Sequence, residues 1–280
     1  MADLAFEPAG QAFESVGRAF ESAAHTPASA GSAPASAAYA PGPADAVPGA
    51  ADSLAGSAGF LTELRGALPR LADGLLVTAE ATALGAALAL LLAYVLGLSS
   101  RSARLPVRGG ARLVVEFFRG TSLYVQLFWL FFALPMLGFR LEPLACGVLA
   151  LGLNFGAYGA EVVRGAVAAV PRAQTEAGIA LSMGPALRLR RVVLPQAHAL
   201  MVAPFKNLLV QLLKATPLLS LVTVPDITFQ IDQVRSATGS TAASYLLLLG
   251  LYGGMAALLG LLMNALERAA KARLGQEGGV

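Results

Sequence analysis

The sequence predicts an all-α integral membrane protein with five transmembrane helices, and three observations lead to that prediction. Hydrophobic residues make up 56% of the 280 residues and charged residues only 13%, whereas a soluble domain carries about 25% charged residues. The apolar residues concentrate in five segments separated by more polar stretches. The basic residues fall almost entirely in alternate connections between those segments, which is typical of a multi-pass membrane protein.

The ends of the chain differ in composition from its middle. Residues 1–58 are Ala, Gly, Pro and Ser with scattered acids, and such a segment cannot bury enough apolar surface to offset the entropy lost on ordering, so we expect disorder. This tail lacks the basic start and apolar core of a secretory signal, and we expect no cleaved signal peptide. Residues 59–74 are predicted to be an amphipathic lead-in, and residues 268–280 a cytoplasmic tail.

Five apolar segments within residues 75–267 are predicted to cross the membrane. The first has 24 residues, which is about 36 Å of helix at ~1.5 Å per residue and enough for a hydrocarbon core of about 30 Å. The predicted spans are Leu75–Leu98, Thr121–Leu137, Leu144–Val163, Leu200–Val224 and Tyr245–Leu266.

The charge distribution predicts the orientation of these spans. Thirteen basic residues lie in two connections and the C-terminal tail, all on one predicted side, and only Arg140 and Arg235 lie in the opposite connections. Because basic loops stay in the cytoplasm, we expect the N-terminus outside and the C-terminus in the cytoplasm. Topology thus accounts for the basic body of the chain, so membrane lipid is the expected partner and nucleic acid is not.

The connection Arg164–His198 is too long for a tight link between two spans. Good helix formers at Arg172–Leu181 predict one short helix, and Gly184-Pro185 ends it and starts a second. Pro195 is expected to mark the boundary before the fourth span. Two short helices at an angle suggest a docking surface, and the alternative is a solvated basic loop held by lipid headgroups.

This connection resembles the EAA loop of ATP-binding-cassette (ABC) importer permeases. The family pattern is EAA, three residues, Gly, nine residues, Ile, any residue, Leu-Pro. The chain has Glu176-Ala177-Gly178, then Ser182 where the family has Gly, and Val192, Leu194 and Pro195 at the expected spacing. Glu116–Pro135 and Leu212–Val222 are similar to the polar amino acid branch, and the resemblance extends over residues 74–268.

The resemblance implies partners as well as a fold. A permease of this family carries a cytoplasmic two-helix coupling loop that docks on an ABC ATPase dimer, receives solute from an extracytoplasmic binding protein, and pairs with a second permease chain, itself or a homologue. The residues implied in ATPase coupling are Glu176, Ala177, Gly178, Ser182, Gly184 and Pro195. Since Ser182 replaces the family glycine, we expect Gly184 to supply the turn.

The energy source and the solute are also expectations. The sequence contains no GxxxxGK[ST] loop, so no cofactor is expected on this chain and ATP is expected to be used by the partner subunit. The resemblance implies import of amino acids through a bacterial plasma membrane. The stretch Val224–Gly239 looks like permeases for the compatible solutes ectoine and hydroxyectoine.

Polar residues inside the spans are candidates for a solute path. Lys214 lies near the middle of the fourth span, where a charge costs at least about 2.5 kcal/mol and usually faces a cavity or partner; the alternative is an ammonium that reaches the membrane surface. Pro204 and Pro217 suggest an interrupted helix in that span. The other candidates are Gln211, Thr216, Gln126 and Asn154. For Gln126 and Asn154 the sequence favours interhelical hydrogen bonds instead.

Two pairs of opposite charge are expected to position helix ends. Glu116 is spaced to meet Arg112 or Arg119, and Glu161 is spaced to meet Arg164.

Other function classes fit the residues less well. A membrane-embedded hydrolase needs a nucleophile and base at membrane depth, but the only histidines are His25 in the tail and His198 beside the loop. No catalytic residues and no metal ligands are therefore predicted. A passive channel or a non-transporting scaffold stays an alternative, although neither accounts for the two-helix loop.

Overall fold

Residues 50–273 are described in the computed structural model, and within them every regular element is helical. The expected all-α fold is confirmed for this part of the chain. The disorder predicted for residues 1–49 lies outside the described residues, as do residues 274–280. Residues 50–58, which the sequence assigned to the tail, belong instead to a helix.

Helix α1 (Ala50–Ser99) joins the predicted lead-in and first span in one element of 50 residues, about 75 Å long at ~1.5 Å per residue. Its candidate membrane-spanning part is Thr62–Ser99. Pro69 lies inside the helix without ending it. The lead-in and the first span are therefore continuous rather than separated near residue 74.

The second predicted span is bent. Helix α2 (Leu105–Gly120) is followed by a second helical stretch from Leu123 to Met136, and the two make an angle of 101°. The second stretch consists of α3 (Leu123–Phe128), a π-helical turn and α4 (Leu134–Met136). Its 14 residues reach about 21 Å, less than the ~30 Å of a hydrocarbon core. Four described helices are long and apolar enough to span, or five if the bent pair counts as one span.

The rest of the described chain contains the central helix, the predicted loop and the last two spans. The elements are α5 (Pro143–Ala169), α6 (Arg172–Ala180), α7 (Pro185–Arg188), a π-helical turn (Leu189–Val193), α8 (Leu194–Ala215), a 3₁₀ helix (Thr216–Val222), α9 (Ile227–Thr238) and α10 (Thr241–Arg273).

Proline explains both π-helical turns. The turns Trp129–Ala133 and Leu189–Val193 are each followed, two residues beyond their end, by Pro135 and Pro195. A proline lacks the backbone N–H and crowds the carbonyl of the fourth residue before it, which lies here in the middle of each turn. Widening the helix by one residue accommodates that carbonyl without ending the helix.

Helices α1 and α5 form the closest helix pair of the fold. A Cβ atom on Gly97 would lie 2.8 Å from the Ala160 backbone oxygen, and one on Gly159 would lie 2.7 Å from the Ala93 Cβ. Glycine at these positions therefore lets the two backbones approach, as small residues do between membrane helices. Two thirds of the most apolar window of α5 is buried, whereas none of the corresponding window of α10 is. Thus α5 is central and α10 peripheral.

Candidate coupling loop and solute path

The predicted loop contains two short helices, α6 and α7, joined by a four-residue turn. Helix α6 ends in a Schellman motif: the Ser182 amide donates to the Ile179 carbonyl at 2.8 Å and the Met183 amide to the Gly178 carbonyl at 2.9 Å. This motif needs a left-handed residue, and Ser182 supplies it with φ +58°. The expectation that Gly184 makes the turn is wrong, because Gly184 has φ −62° and caps α7 in an extended conformation.

Gly178 explains where the chain departs from the family pattern. It is buried, and a Cβ atom there would lie 2.9 Å from the Cδ atom of Arg188. The alanine of the family motif would therefore meet the aliphatic stem of Arg188. Glycine lets that stem lie across α6 and pack the two short helices together.

The outer surface of the loop is apolar around one acid. Glu176 and Ala177 are exposed, and Ile179, Leu181 and Leu187 expose 57%, 75% and 43% of their surface. Glu176 forms no ion pair within the described residues. An exposed apolar patch of this kind on a short, well-capped element is typical of a protein-binding surface.

The loop continues into α8 without a break. Helix α7, the π-helical turn and α8 follow each other directly from Pro185 to Ala215. Pro195 therefore lies inside a continuous helical run and does not mark a boundary, which corrects the expectation from sequence. In addition, the Gln196 side-chain amide donates to the Gln174 side-chain oxygen at 3.4 Å and connects α8 to α6.

The five candidate path residues do not form one site. Gln126 and Asn154 are buried together: the Gln126 amide donates to the Phe118 carbonyl at 2.9 Å and the Thr121 hydroxyl at 2.6 Å, and the Asn154 amide donates to the same carbonyl at 3.1 Å. These bonds satisfy the backbone at the 101° bend. The interhelical hydrogen bonds that the sequence favoured for these two residues are present.

Gln211 and Lys214 lie on a different surface. Both are exposed on α8, and Asn207, which the sequence analysis missed, is exposed one turn earlier on the same face. The spacing i, i+4, i+7 alone could have identified it. Three polar side chains on one face of an apolar helix are unfavourable against lipid, so this polar stripe is suited to a water-filled path or to a second chain.

Thr216 belongs to a third group, which connects α8, the 3₁₀ helix, α9 and α10. Its hydroxyl donates to the Leu213 carbonyl at 2.8 Å, a group that Pro217 leaves without its usual helical partner, and lies 3.3 Å from the Tyr252 hydroxyl. The Tyr252 hydroxyl in turn lies 3.0 Å from the Thr228 hydroxyl and donates to Asp226 Oδ2 at 3.4 Å. Thr216 is fully buried, and its hydroxyl contacts are made inside the protein.

Asp226 is the centre of that group and was missed at the sequence level. It is the N-cap of α9, because its Oδ1 accepts from the Phe229 amide at 2.9 Å. The adjacent Ile227 amide donates to the Thr78 hydroxyl of α1 at 3.1 Å. The carboxylate is fully buried, and this burial raises the pKa of Asp226 to about 6. An Asp directly before the first residue of an amphipathic helical pattern was the available sequence signal.

Two further polar pairs lie within single helices, and a third joins two helices. The predicted pairs form: Arg119 lies 3.7 Å from Glu116, and Arg164 Nε donates to both oxygens of Glu161 at 3.0 Å. The Lys206 ammonium donates to the Asn264 side chain and so joins α8 to α10. No cluster of three His, Cys, Asp or Glu residues suited to a metal occurs among the residues that were described.

A family model described as the binding-protein-dependent transport system inner membrane component matches residues 85–275. The chain belongs to this family. It is therefore a multi-pass permease component of an inner-membrane importer. This membership supports the predicted permease function over a passive channel or a scaffold.

Individual relatives have the same kind of name. The probable amino-acid ABC transporter permease protein y4tF of Sinorhizobium fredii is 43% identical over 203 residues, 70% of this chain and 85% of that protein. The glutamine transport system permease protein GlnP of Escherichia coli is 32% identical over 168 residues, 59% of this chain and 77% of that protein. These relatives are named as transport permeases and not as enzymes.

Solved structures agree on the fold. A chain from the crystal structure of an amino acid ABC transporter with histidines matches with a TM-score of 0.70 at 30% identity, covering 75% of this chain and 98% of that one. The MetNI methionine ABC transporter in an inward-facing conformation matches at a TM-score of 0.62 and 20% identity, covering 72% and 96%, which shows the shared fold alone.

The left-handed turn of the loop leads to a first prediction. Replacing Ser182 by Val should open the turn after α6, because a β-branched residue is strongly disfavoured at φ +58°. Hydrogen–deuterium exchange at residues 178–188 of the solubilised chain should become faster. Ser182→Gly should not accelerate it, and Gly184→Ala should leave it unchanged because nothing lies within 4 Å of its added Cβ atom. Equal exchange in wild type and Ser182→Val would contradict this account of the turn.

Burial of Asp226 leads to a second prediction. A carboxyl whose pKa is raised from 3.8 to about 6 on folding favours the folded state while protonated and loses that contribution as the pH rises through about 6. Between pH 4.5 and 7.5 the loss is about 2 kcal/mol. Asn at position 226 keeps the cap but does not titrate. Thermal unfolding in detergent should therefore show a smaller change in stability between pH 4.5 and 7.5 for Asp226→Asn than for wild type.

The matched control for this experiment is Asp232→Asn. Asp232 lies in the same helix, but it is exposed and paired with Arg235. Its variant should keep the wild-type pH profile. Identical profiles for wild type and Asp226→Asn would show that the carboxyl is not desolvated in the folded protein.

Proposed function

We propose that this chain is one of two permease chains in an ATP-driven importer of amino acids in a bacterial plasma membrane. Its N-terminus lies outside and its C-terminus in the cytoplasm. A separate ABC ATPase dimer binds the coupling loop and uses the ATP, and an extracytoplasmic binding protein delivers the solute. The second permease chain is a copy of this one or a homologue.

The surface of the coupling loop is the observation that carries the proposal. Ile179, Leu181 and Leu187 are exposed on the same loop as Glu176, which has no ion-pair partner among the described residues. The Schellman turn and the Arg188 stem hold α6 and α7 in a fixed arrangement. Such a preformed apolar surface supports docking into a groove of a partner protein. It does not fit a loop that only contacts water and lipid headgroups, because its large apolar side chains are left exposed.

The continuous helix from the loop to the membrane supports a coupling role. Because Pro185–Ala215 is helical throughout, a displacement of the loop is passed to α8 and to its polar stripe. The π-helical turn between them is the point at which the helix geometry already departs from regular. A rigid element that takes two positions in response to the ATPase is the physical basis of alternating access.

The polar stripe supports a solute path on α8. Asn207, Gln211 and Lys214 offer amide and ammonium groups to a polar solute, and they are exposed in the single chain. Amide groups and an ammonium suit the carboxylate of an amino acid. Gln126 and Asn154 lie away from this surface in their own hydrogen bonds, and we propose that they keep the bend in shape and do not contact solute.

The names of the relatives support amino acids as the solute class. Permeases named for amino acids, L-cystine, arginine and glutamine are among them. The expectation of ectoine or hydroxyectoine depends on Val224–Gly239 alone. That stretch is largely α9, whose Ile227, Ile231 and Val234 are buried beside α1, so packing accounts for much of its sequence.

The loop surface yields a third prediction. Replacing Leu181 by Asp should abolish copurification of the ATPase from native membranes, because a charge would enter the apolar contact. The matched control is Leu137→Asp, which makes the same change at a residue 65% exposed at the end of α4, outside the loop. Capture of the ATPase by Leu181→Asp at the wild-type level would overturn the docking assignment.

The polar stripe yields a fourth prediction. In cells or proteoliposomes that contain the complete transporter, Lys214→Gln should lower amino acid uptake about tenfold or more, equivalent to ~1.4 kcal/mol. Copurification of the ATPase should not change, because Lys214 lies on the membrane part of α8. Arg140→Gln removes a positive charge elsewhere and should retain uptake. Wild-type uptake by Lys214→Gln would exclude the stripe from the solute path.

A further inference from the structure

A cavity at the start of α2 has two chemically different halves. It measures about 450 Å³ and lies between the end of α1, the first turn of α2 and the beginning of the π-helical turn after the coupling loop. Its lining combines one guanidinium and two hydroxyl groups with three aliphatic side chains: Ser99, Arg101, Ser102, Leu98, Val107 and Leu189. A ligand with an anionic head and an apolar body fits this division.

The polar half has the donors that a phosphate group requires. Arg101 is exposed, and its planar guanidinium is suited to two-pronged binding of phosphate oxygens. The Ser102 hydroxyl accepts from the Arg104 amide at 3.2 Å, so its own proton is free to donate. The first turn of α2 begins beside this point without a side-chain cap, and its amide groups add a favourable field for an anion.

The net positive charge of α2 and of the turn before it also favours an anionic ligand. Five arginines and a single acid lie between residues 101 and 119, and that acid, Glu116, is already paired with Arg119. The other four arginines, Arg101, Arg104, Arg108 and Arg112, form no ion pair with any described residue. Each basic residue near a membrane surface contributes about 1 kcal/mol to attraction of anionic lipid.

The course of α2 places these groups at the depth of lipid headgroups. The helix bends by 101° into the following stretch, so where that stretch enters the membrane, α2 runs along its surface. One side of α2 is exposed and apolar, with Leu113 at 72% and Phe117 at 59% exposure, and its buried side, Ala111 and Val115, faces the protein. An apolar side next to free arginines is the pattern of a helix lying in the membrane interface.

We propose that this cavity binds an anionic phospholipid of the cytoplasmic leaflet, with the phosphate between Arg101 and Ser102 and the start of an acyl chain against Leu98, Val107 and Leu189. The proposal depends on the orientation given under the proposed function. Since Leu189 opens the turn that joins the coupling loop to α8, the lipid contacts the joint that transmits motion of the loop.

The test measures lipid binding by the purified full chain and needs no partner. Native mass spectrometry in detergent should show preferential retention of phosphatidylglycerol over phosphatidylcholine. Arg101→Gln should weaken retention about fivefold, the effect of ~1 kcal/mol for one base. Val107→Asn should also weaken it without changing charge. Arg140→Gln, which removes an exposed arginine in the opposite connection, should retain wild-type binding.

Each other outcome identifies a different occupant or none. Equal retention of the two lipids, or equal loss in Arg101→Gln and Arg140→Gln, would overturn a specific site. Displacement of the lipid by inorganic phosphate, with Val107→Asn unaffected, would show a site for a free anion instead. The lipid site and the proposed function can also fail separately. If Leu181→Asp still captures the ATPase while phosphatidylglycerol binding keeps its dependence on Arg101 and Val107, the docking assignment fails and the lipid site stands.

Discussion

The close approach of α1 and α5 is the constraint on which the other helices depend. Within lipid there is no hydrophobic force that drives helices together, so van der Waals contact and hydrogen bonds must do it. Glycines on both helices provide that contact, with Gly97 against Val163 and Ala160, and Gly152 against Leu88. Helix α9 packs against the N-terminal half of α1, and α2 and α8 pack against α5. Loss of the glycine contact would therefore displace both α2, which leads into the 101° bend, and α8, which continues from the loop.

A second constraint on the fold is the presence of proline within its helical segments. Pro135 and Pro195 are preceded by π-helical turns, and Pro217 begins a change to 3₁₀ geometry at which the Thr216 hydroxyl satisfies the Leu213 carbonyl. Each proline leaves a carbonyl without its usual helical donor, and for Pro217, within the predicted span Leu200–Val224, no water is available in a hydrocarbon core to replace that donor. Local changes of helix type and a neighbouring hydroxyl fulfil that requirement without ending the helix.

Much of the fold could be predicted from the sequence because apolar length and charge placement are local properties. They indicated the membrane-crossing helices, and helix-forming residues with a Gly184-Pro185 break indicated the two short helices of the loop. The bend at Gly120–Ser122 could not be predicted, since it depends on amides of Gln126 and Asn154 that reach the Phe118 carbonyl from separate positions in the chain. The same reason explains why Asp226 was missed: its burial results from α1, α9 and α10 meeting around it.

Within the loop, the sequence pattern did not predict which residue adopts the left-handed conformation. The family motif correctly indicated where a left-handed residue is needed, but composition suggested the nearby Gly184 in place of Ser182. The Schellman hydrogen bonds fix that position by counting from the end of α6, and a glycine two residues later cannot substitute. Similarly, Gly178 is explained only by the Arg188 stem, ten residues further along, which no local propensity describes.

Because the helix runs without a break from the loop into α8, a small rotation at the loop produces a large displacement at the far end of α8. From Leu194 to Lys214 the helix rises about 30 Å at ~1.5 Å per residue. A swing of about 5° around the π-helical turn therefore moves the Lys214 ammonium by about 2.6 Å, close to the length of a hydrogen bond. Small angular changes at the turn are thus enough to make or break individual contacts at the far end of α8.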